Sequence, residues 1–315
     1  FKQKTAYEIM PSLVGSEMCI RDRPQETWAV DAGGSARSAE AAISGARGTP
    51  GISMAVISDL RTGNPTSNDE SGGGDAAAAL LFGDDEDAPV IAHAIGRAAA
   101  TGEFLDRYRL PGENASRIWE ERFGEQAYLT LAEDAIERAV KEADVTLEDV
   151  DKVVIAGLHA RAVRSLSRIA GDKLVDDLTG RIGNPGAAQL PLLVASALDN
   201  AAPGETILVV HMADGANANV LRTTDAIADY TPFSSVESQI ENGSDNLDYN
   251  LYLTWRGFLD REPPRRPDPD RPGAPPAFRS EDWKYAFVGS RDRSSGAIHL
   301  PVSYTHLTLP TNREV

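Results

Sequence analysis

Three segments constrain this chain more than anything else in it: Val153–His159 (VVIAGLH), Gly183–Leu193 (GNPGAAQLPLL) and Ile207–Ala218 (ILVVHMADGANA). Each joins a short apolar run to a polar or glycine-rich turn, and the first two turns open onto a helix. Strand ends that meet helix starts are where open α/β sheets collect their chemistry. Strands are predicted over Gly51–Ile57, Ala76–Phe82, Val153–Ala156 and Ile207–Met212. Between them Glu125–Ala143 places Leu131, Ala135, Ile136, Ala139, Val140 and Ala143 on one helical stripe. Ala187–Ala201 repeats the pattern, and its Pro191 fits because it falls in the first turn. Strands alternating with helices predict an α/β fold built from βαβ units, with a largely parallel sheet.

The two ends read differently. Phe1–Arg23 and Val302–Val315 resemble translated sequencing-adapter read-through of the kind met in metagenomic assemblies, so the expected native segment runs from about Pro24 to Pro301. The one cysteine, Cys19, lies in that leader. Without it neither a disulfide framework nor a cysteine metal site can form, and a reducing, cytoplasmic setting is expected. No apolar run approaches the roughly 20 residues that cross a bilayer. A formal charge of −17 argues against unaided binding to nucleic acid or to an anionic membrane. It leaves room for a phosphorylated ligand held by a local patch of arginines.

Three positions carry candidate chemistry. His159 ends an apolar run just before a helix, where imidazole can exchange or donate a proton near neutral pH. Gly183-Asn184-Pro185-Gly186 is a turn by its chemistry alone. Asp214-Gly215 is another turn. Gly72–Ala79 (GGGDAAAA) precedes a strand but lacks the lysine and hydroxyl of a phosphate loop, and no Gly-x-Gly-x-x-Gly opens a helix after a strand.

Together these residues resemble the C-terminal half of the thiolase superfamily, in its HMG-CoA synthase-like and 3-oxoacyl-(acyl carrier protein) synthase III-like branch. The resemblance implies a layered α-β-α fold, here truncated at its N-terminal side. It places His159 and Asn184 as the pair that polarises a thioester carbonyl, and Gly215 in the turn shaping the floor of the acyl pocket. The family's nucleophilic cysteine falls on Ser35 or Ala36, in the junction Val30–Ile43. Serine would need activation by a base, for which His159 is the candidate. Arg161 and Arg164, with Arg168, either face coenzyme A phosphates or form a solvated helix face.

Beyond the thiolase-like region, expected over 24–229, residues 230–283 hold a helical segment, Tyr249–Leu259, and a proline-rich linker. Residues 284–301 resemble the start of a zinc-ribbon/OB-fold module. In the Cys-x-x-Cys-Gly ribbon expected there, Asp292 and Ser295 stand where the two cysteines would be and Gly296 matches the glycine, so no zinc is expected. Two functions follow from the resemblance. One is an acyltransferase or condensing enzyme acting on acyl-CoA thioesters, with no tightly bound cofactor, working as a homodimer or with a thiolase-like partner. The other is a non-catalytic subunit that binds acyl-CoA or scaffolds a partner.

Overall fold

The computed structural model describes residues 28–84, 88–102, 104, 106–110 and 112–262, with 265–266, 273, 275, 289–291, 293–296 and 298–299 beyond them. Residues 1–23 and 302–315, with Cys19 among them, and Trp283-Lys284, Phe287-Val288 and Asp292 lie outside the described residues. Two compact units separate, and Ala32–Leu259 is the one that carries the fold. In the other, β9 (Ser290–Arg291) and β10 (Ile298–His299) pair as a short antiparallel hairpin.

The larger unit is a mixed α/β fold around a four-stranded sheet. Its strands are β3 (Ala92–Ala100), β6 (Lys152–Gly157), β7 (Thr206–Met212) and β8 (Ala216–Thr223), in the order β3-β8-β7-β6. Only β6 and β7 run parallel; β7 with β8 and β8 with β3 are antiparallel. The expected largely parallel sheet is therefore a mixed one. Two alanine- and asparagine-rich strands account for the difference: AHAIGRAAA and ANANVLRT carry little intrinsic β signal, and ladder pairing alone makes them strands.

The side chains of the central strands divide between two cores. Val153 and Ile155 of β6, with Leu208, Val210 and Met212 of β7, face one cluster. Val154, Ala156, Ile207 and Val209 face the other. That alternation explains apolar runs without polar interruption: both faces of the sheet are covered. On the first face lie α3 (Glu121–Glu142) and α4 (Ala160–Ala170). α3 presents Tyr128, Ala132, Ala135 and Ala139 at helical spacing. Its small residues let it approach β3 so closely that a Cβ on Gly96 would overlap the Ala139 carbonyl.

On the second face lie α1 (Ser38–Arg47) and α6 (Gln189–Asp199) with a separate antiparallel ribbon of β1 (Ser53–Leu60) and β2 (Asp75–Phe82). Helix, sheet and helix thus stack as three layers. A short helix, α2 (Asn68–Ser71), sits between β1 and β2, and a short ladder joins β4 (Arg107–Tyr108) to β5 (Arg117–Ile118). After α5 (Thr179–Ile182), which precedes α6, the unit ends in α7 (Val236–Glu241) and α8 (Tyr249–Trp255). Among the described residues no helix is long and apolar enough to cross a membrane.

Candidate functional site

The first turn follows β6. His159 is the N-cap of α4, and its Nδ1 accepts the Ala162 N–H at 3.1 Å. An acceptor cannot carry the proton, so the neutral ring holds it on Nε2. Nε2 is buried with no hydrogen-bond partner. The helix start has therefore fixed the tautomer and left one N–H to donate. Tyr128 lies beside the ring, centroid to centroid 5.6 Å. Gly124 lies over Nε2, and a Cβ there would stand 2.8 Å from it. Any side chain at 124 would push the imidazole aside.

Tyr128 itself is a junction. Its hydroxyl donates to the buried Asp106 Oδ1 at 2.8 Å, and it also takes a bond from the Asp214 backbone. Burial first, then the Asp106 charge, pushes the phenol far above its ordinary range, so it remains a neutral donor. The His159 end of β6 is thus tied to the Asp214-Gly215 turn between β7 and β8. That turn needs unusual backbone: φ is +47° at Asp214 and +129° at Gly215.

Arg37 joins the same turn from the other side. It donates to Asp214 O at 2.6 Å and to Asn217 Oδ1 at 3.1 Å. A Cβ on Gly215 would lie 2.6 Å from the guanidinium. Because Arg37 directly follows Ser35-Ala36, it anchors the predicted nucleophile junction to the Gly215 turn. Ser35 is exposed; its N–H donates to Ser38 Oγ at 3.1 Å at the entrance to α1.

Beneath that helix Glu40 and His211 are both buried, 3.9 Å apart. Burial raises the Glu40 pKa against the weaker pull of Asn219, Arg47 and Arg37. Burial, then Arg37, lowers His211 to about 4. Both groups are driven toward their neutral forms.

The second turn holds Asn184. Its Nδ2 donates to Gly157 O at 2.8 Å and to Gln189 Oε1 at 3.1 Å, while Oδ1 accepts the Gly186 N–H at 2.9 Å. Gln189 in turn accepts the Gly157 N–H at 3.0 Å. The amide ties the turn to the end of β6, two residues before His159, with both N–H groups engaged inside the protein. The two glycine turns singled out in the sequence also meet. Asn184 N–H donates to Gly72 O at 2.8 Å, and Gly74 N–H donates back to Asn184 O at 3.0 Å. Side chains on Gly74 or Gly183 would overlap the facing backbone.

Arg161 pairs with Glu125, which also accepts from Ser165 at 2.7 Å, so this cation is held on the α3–α4 contact. Arg164 and Arg168 are exposed on α4. No group of three or more His, Cys, Asp or Glu side chains is placed to hold a metal among the described residues.

Sequence reasoning missed Tyr128, Asp106, Gly124, Arg37 and Gln189. Gln189 had left a trace, a polar residue at the start of an apolar helix. Tyr128 fitted an ordinary helix stripe, and the partners of Asp106 and Arg37 are remote in the chain.

The layered fold is thiolase-like. OleA from Xanthomonas campestris superposes with a TM-score of 0.52, at 15% identity, over 71% of this chain and 72% of that one. 3-Oxoacyl-[acyl-carrier-protein] synthase III from Aquifex aeolicus does so at 0.50, with 16% identity over 63% and 68%. In sequence the chain is similar to hydroxymethylglutaryl-CoA synthases. That of Methanosphaera stadtmanae is 26% identical over 212 residues, covering 65% of this chain and 60% of the relative. That of Pyrococcus furiosus is 27% identical over 209 residues, covering 64% and 59%. The chain thus spans about 60% of the length of these curated relatives. No family profile matches it.

Proposed function

We propose that this chain belongs to a protein that transfers or condenses acyl groups carried as coenzyme A thioesters, in the manner of a hydroxymethylglutaryl-CoA synthase. The observation that carries the reading is the fixed tautomer of His159. With Nδ1 engaged, the ring is a donor at Nε2 and has no free lone pair. Its role is to hydrogen-bond the thioester oxygen as negative charge develops there, and it does not serve as the base that activates Ser35. Asn184 is the second donor, reached by exchanging its bond to Gln189 for the substrate oxygen. Gly215 lies at the pocket floor, and Arg164, with Arg161 once released from Glu125, faces the coenzyme A phosphates. The substrate is the coenzyme A thioester itself, whose acyl group is transferred as coenzyme A is released, with no tightly bound cofactor or metal.

The working protein is a cytoplasmic homodimer or a complex with a thiolase-like partner. Its thiolase-like part lies within 24–229, followed by the 230–283 segment and linker and the 284–301 β module, between the adapter-like ends 1–23 and 302–315.

A second reading has its own support: Ser35 is exposed and bonds only its own helix entrance among the described contacts. The chain then binds acyl-CoA without forming an acyl-enzyme. Titrating acetyl-CoA into the protein, and following acetyl attachment by mass spectrometry in wild type, His159→Ala and Ser35→Cys, separates the two. Turnover abolished by His159→Ala supports the enzyme. Binding without turnover, with acetylation appearing only in Ser35→Cys, supports the binding subunit. Absence of binding in all three overturns both.

A further inference from the structure

We propose that Arg61, Arg107 and Arg109 form a binding site for a phosphate-type oxyanion, independent of any acyl transfer at His159. Arg61 leaves the end of β1, Arg107 lies on β4 and Arg109 follows it. Residues more than 40 positions apart therefore bring three guanidinium groups to one place. Arg61 and Arg107 are largely buried, with side-chain exposures of 14% and 17%.

Their compensation is thin. Asp69 Oδ1 serves both: Arg107 bonds it directly, and Arg61 reaches it only at 3.8 Å. Asp59 accepts the Ala187 N–H at 2.9 Å, and Asp75, which accepts the Arg61 backbone N–H at 2.9 Å, is paired with Arg256. Arg109 bonds the Thr62 hydroxyl. With Asp75 matched by Arg256, three guanidinium groups against Asp59 and Asp69 leave one net positive charge, in a chain whose overall charge is −17. Burial, and then the neighbouring Arg107, pull the Arg61 pKa below its ordinary value.

Two donors are also left over. The Nε atoms of Arg61 and Arg107 are buried without a hydrogen-bond partner. A buried donor without an acceptor keeps its desolvation penalty uncompensated, and more so where the group is charged. A tetrahedral oxyanion supplies several acceptors at once, and the planar guanidinium fork matches it in pairs. The cradle is already shaped. The Arg61 stem passes between two glycines, where a Cβ on Gly73 would lie 3.1 Å from Arg61 Cβ and one on Gly186 3.0 Å from Cδ. Little side-chain entropy remains to be lost when the anion arrives.

The test is calorimetric titration of the whole chain with inorganic phosphate, and separately with glycerol 3-phosphate, at constant ionic strength. Saturable one-to-one binding is expected. Arg107→Gln should weaken it at least ten-fold and Arg109→Gln several-fold, while Arg138→Gln, an exposed arginine elsewhere on α3, should leave it unchanged. Tighter binding of the ester assigns the site to the phosphoryl group of a larger molecule; tighter binding of the ion assigns it to free phosphate. Arg109 is exposed, so its variant stays informative even where Arg107→Gln fails to fold by circular dichroism. No saturable heat with either ligand overturns the proposal, as does binding that survives both Arg109→Gln and a folded Arg107→Gln unchanged.

Discussion

Strands β7 and β1 are both apolar eight- or seven-residue runs, yet they live in different surroundings. All seven residues of β7 are buried. In β1 only Ala55 and Ile57 are, and Met54, Val56 and Leu60 face outward beside Leu81 of β2. β7 has helices on both faces; the ribbon is covered on one. A run such as ILVV, with no polar interruption, signals the first situation, and the alternation of SMAVISDL signals the second. Burial on two faces also explains why polar groups on the sheet, such as His211, are held neutral, since burial there raises the cost of charge.

The contrast can be broken at several points. The largest effect is expected where helix and sheet touch backbone to backbone. Gly96→Ala should cost about 4 kcal/mol in chemical denaturation or abolish cooperative unfolding, because neither β3 nor α3 can yield. Next, Val210→Ala in β7 should cost about 2 kcal/mol, by lost transfer energy and a cavity. Val56→Ala on the ribbon should cost less than about 0.5 kcal/mol. Equal losses at the two positions would erase the distinction between the strands.

His211 should make the sheet acid-sensitive. Its folded pKa, about 4, lies below the unfolded value near 6.5, so between these pH values the unfolded chain binds a proton that the folded one refuses. Stability should fall as pH drops through that window, at a slope of up to about 1.4 kcal/mol per pH unit. Denaturation curves of His211→Gln should be flatter across it; an unchanged slope would remove His211 as the cause. Glu40 acts in the opposite sense. Its raised pKa contributes stability below the ordinary carboxylate range and loses it as pH rises. Glu40→Gln should therefore raise the melting temperature at pH 7, with the gain disappearing below about pH 4.5.

The smallest expected effect is Leu81→Lys, which should move the melting temperature by little, since that side chain is 71% exposed. A large loss there would mean that the outer ribbon face is covered in solution.

How far the residues alone could be read depends on what each feature rests upon. The ends of β6 and β7, the helices after His159 and after the Asn184 turn, and the α/β class were legible, because they rest on local periodicity and turn chemistry. Four predicted strands lie within a few residues of observed ones. β3 and β8 were not legible, because an alanine-rich run becomes a strand only when a ladder claims it, and their antiparallel pairing is what makes the sheet mixed.

The candidate site divides in the same way. His159 and Gly215 stand out in the turns that end strands, and Asn184 in a Gly-Asn-Pro-Gly turn between two helices. The hydrogen bond that fixes the His159 tautomer required the helix to exist first. Its setting against Tyr128, Asp106 and Gly124 required α3 to pack on the sheet. By itself the sequence determined the local elements and the turns that end them, since these depend on neighbours a few positions away. Tertiary structure decided strand direction, the meeting of the two glycine turns and the gathering of Arg61, Arg107 and Arg109. Those depend on the path that brings distant segments together, and on the burial that path imposes on charge.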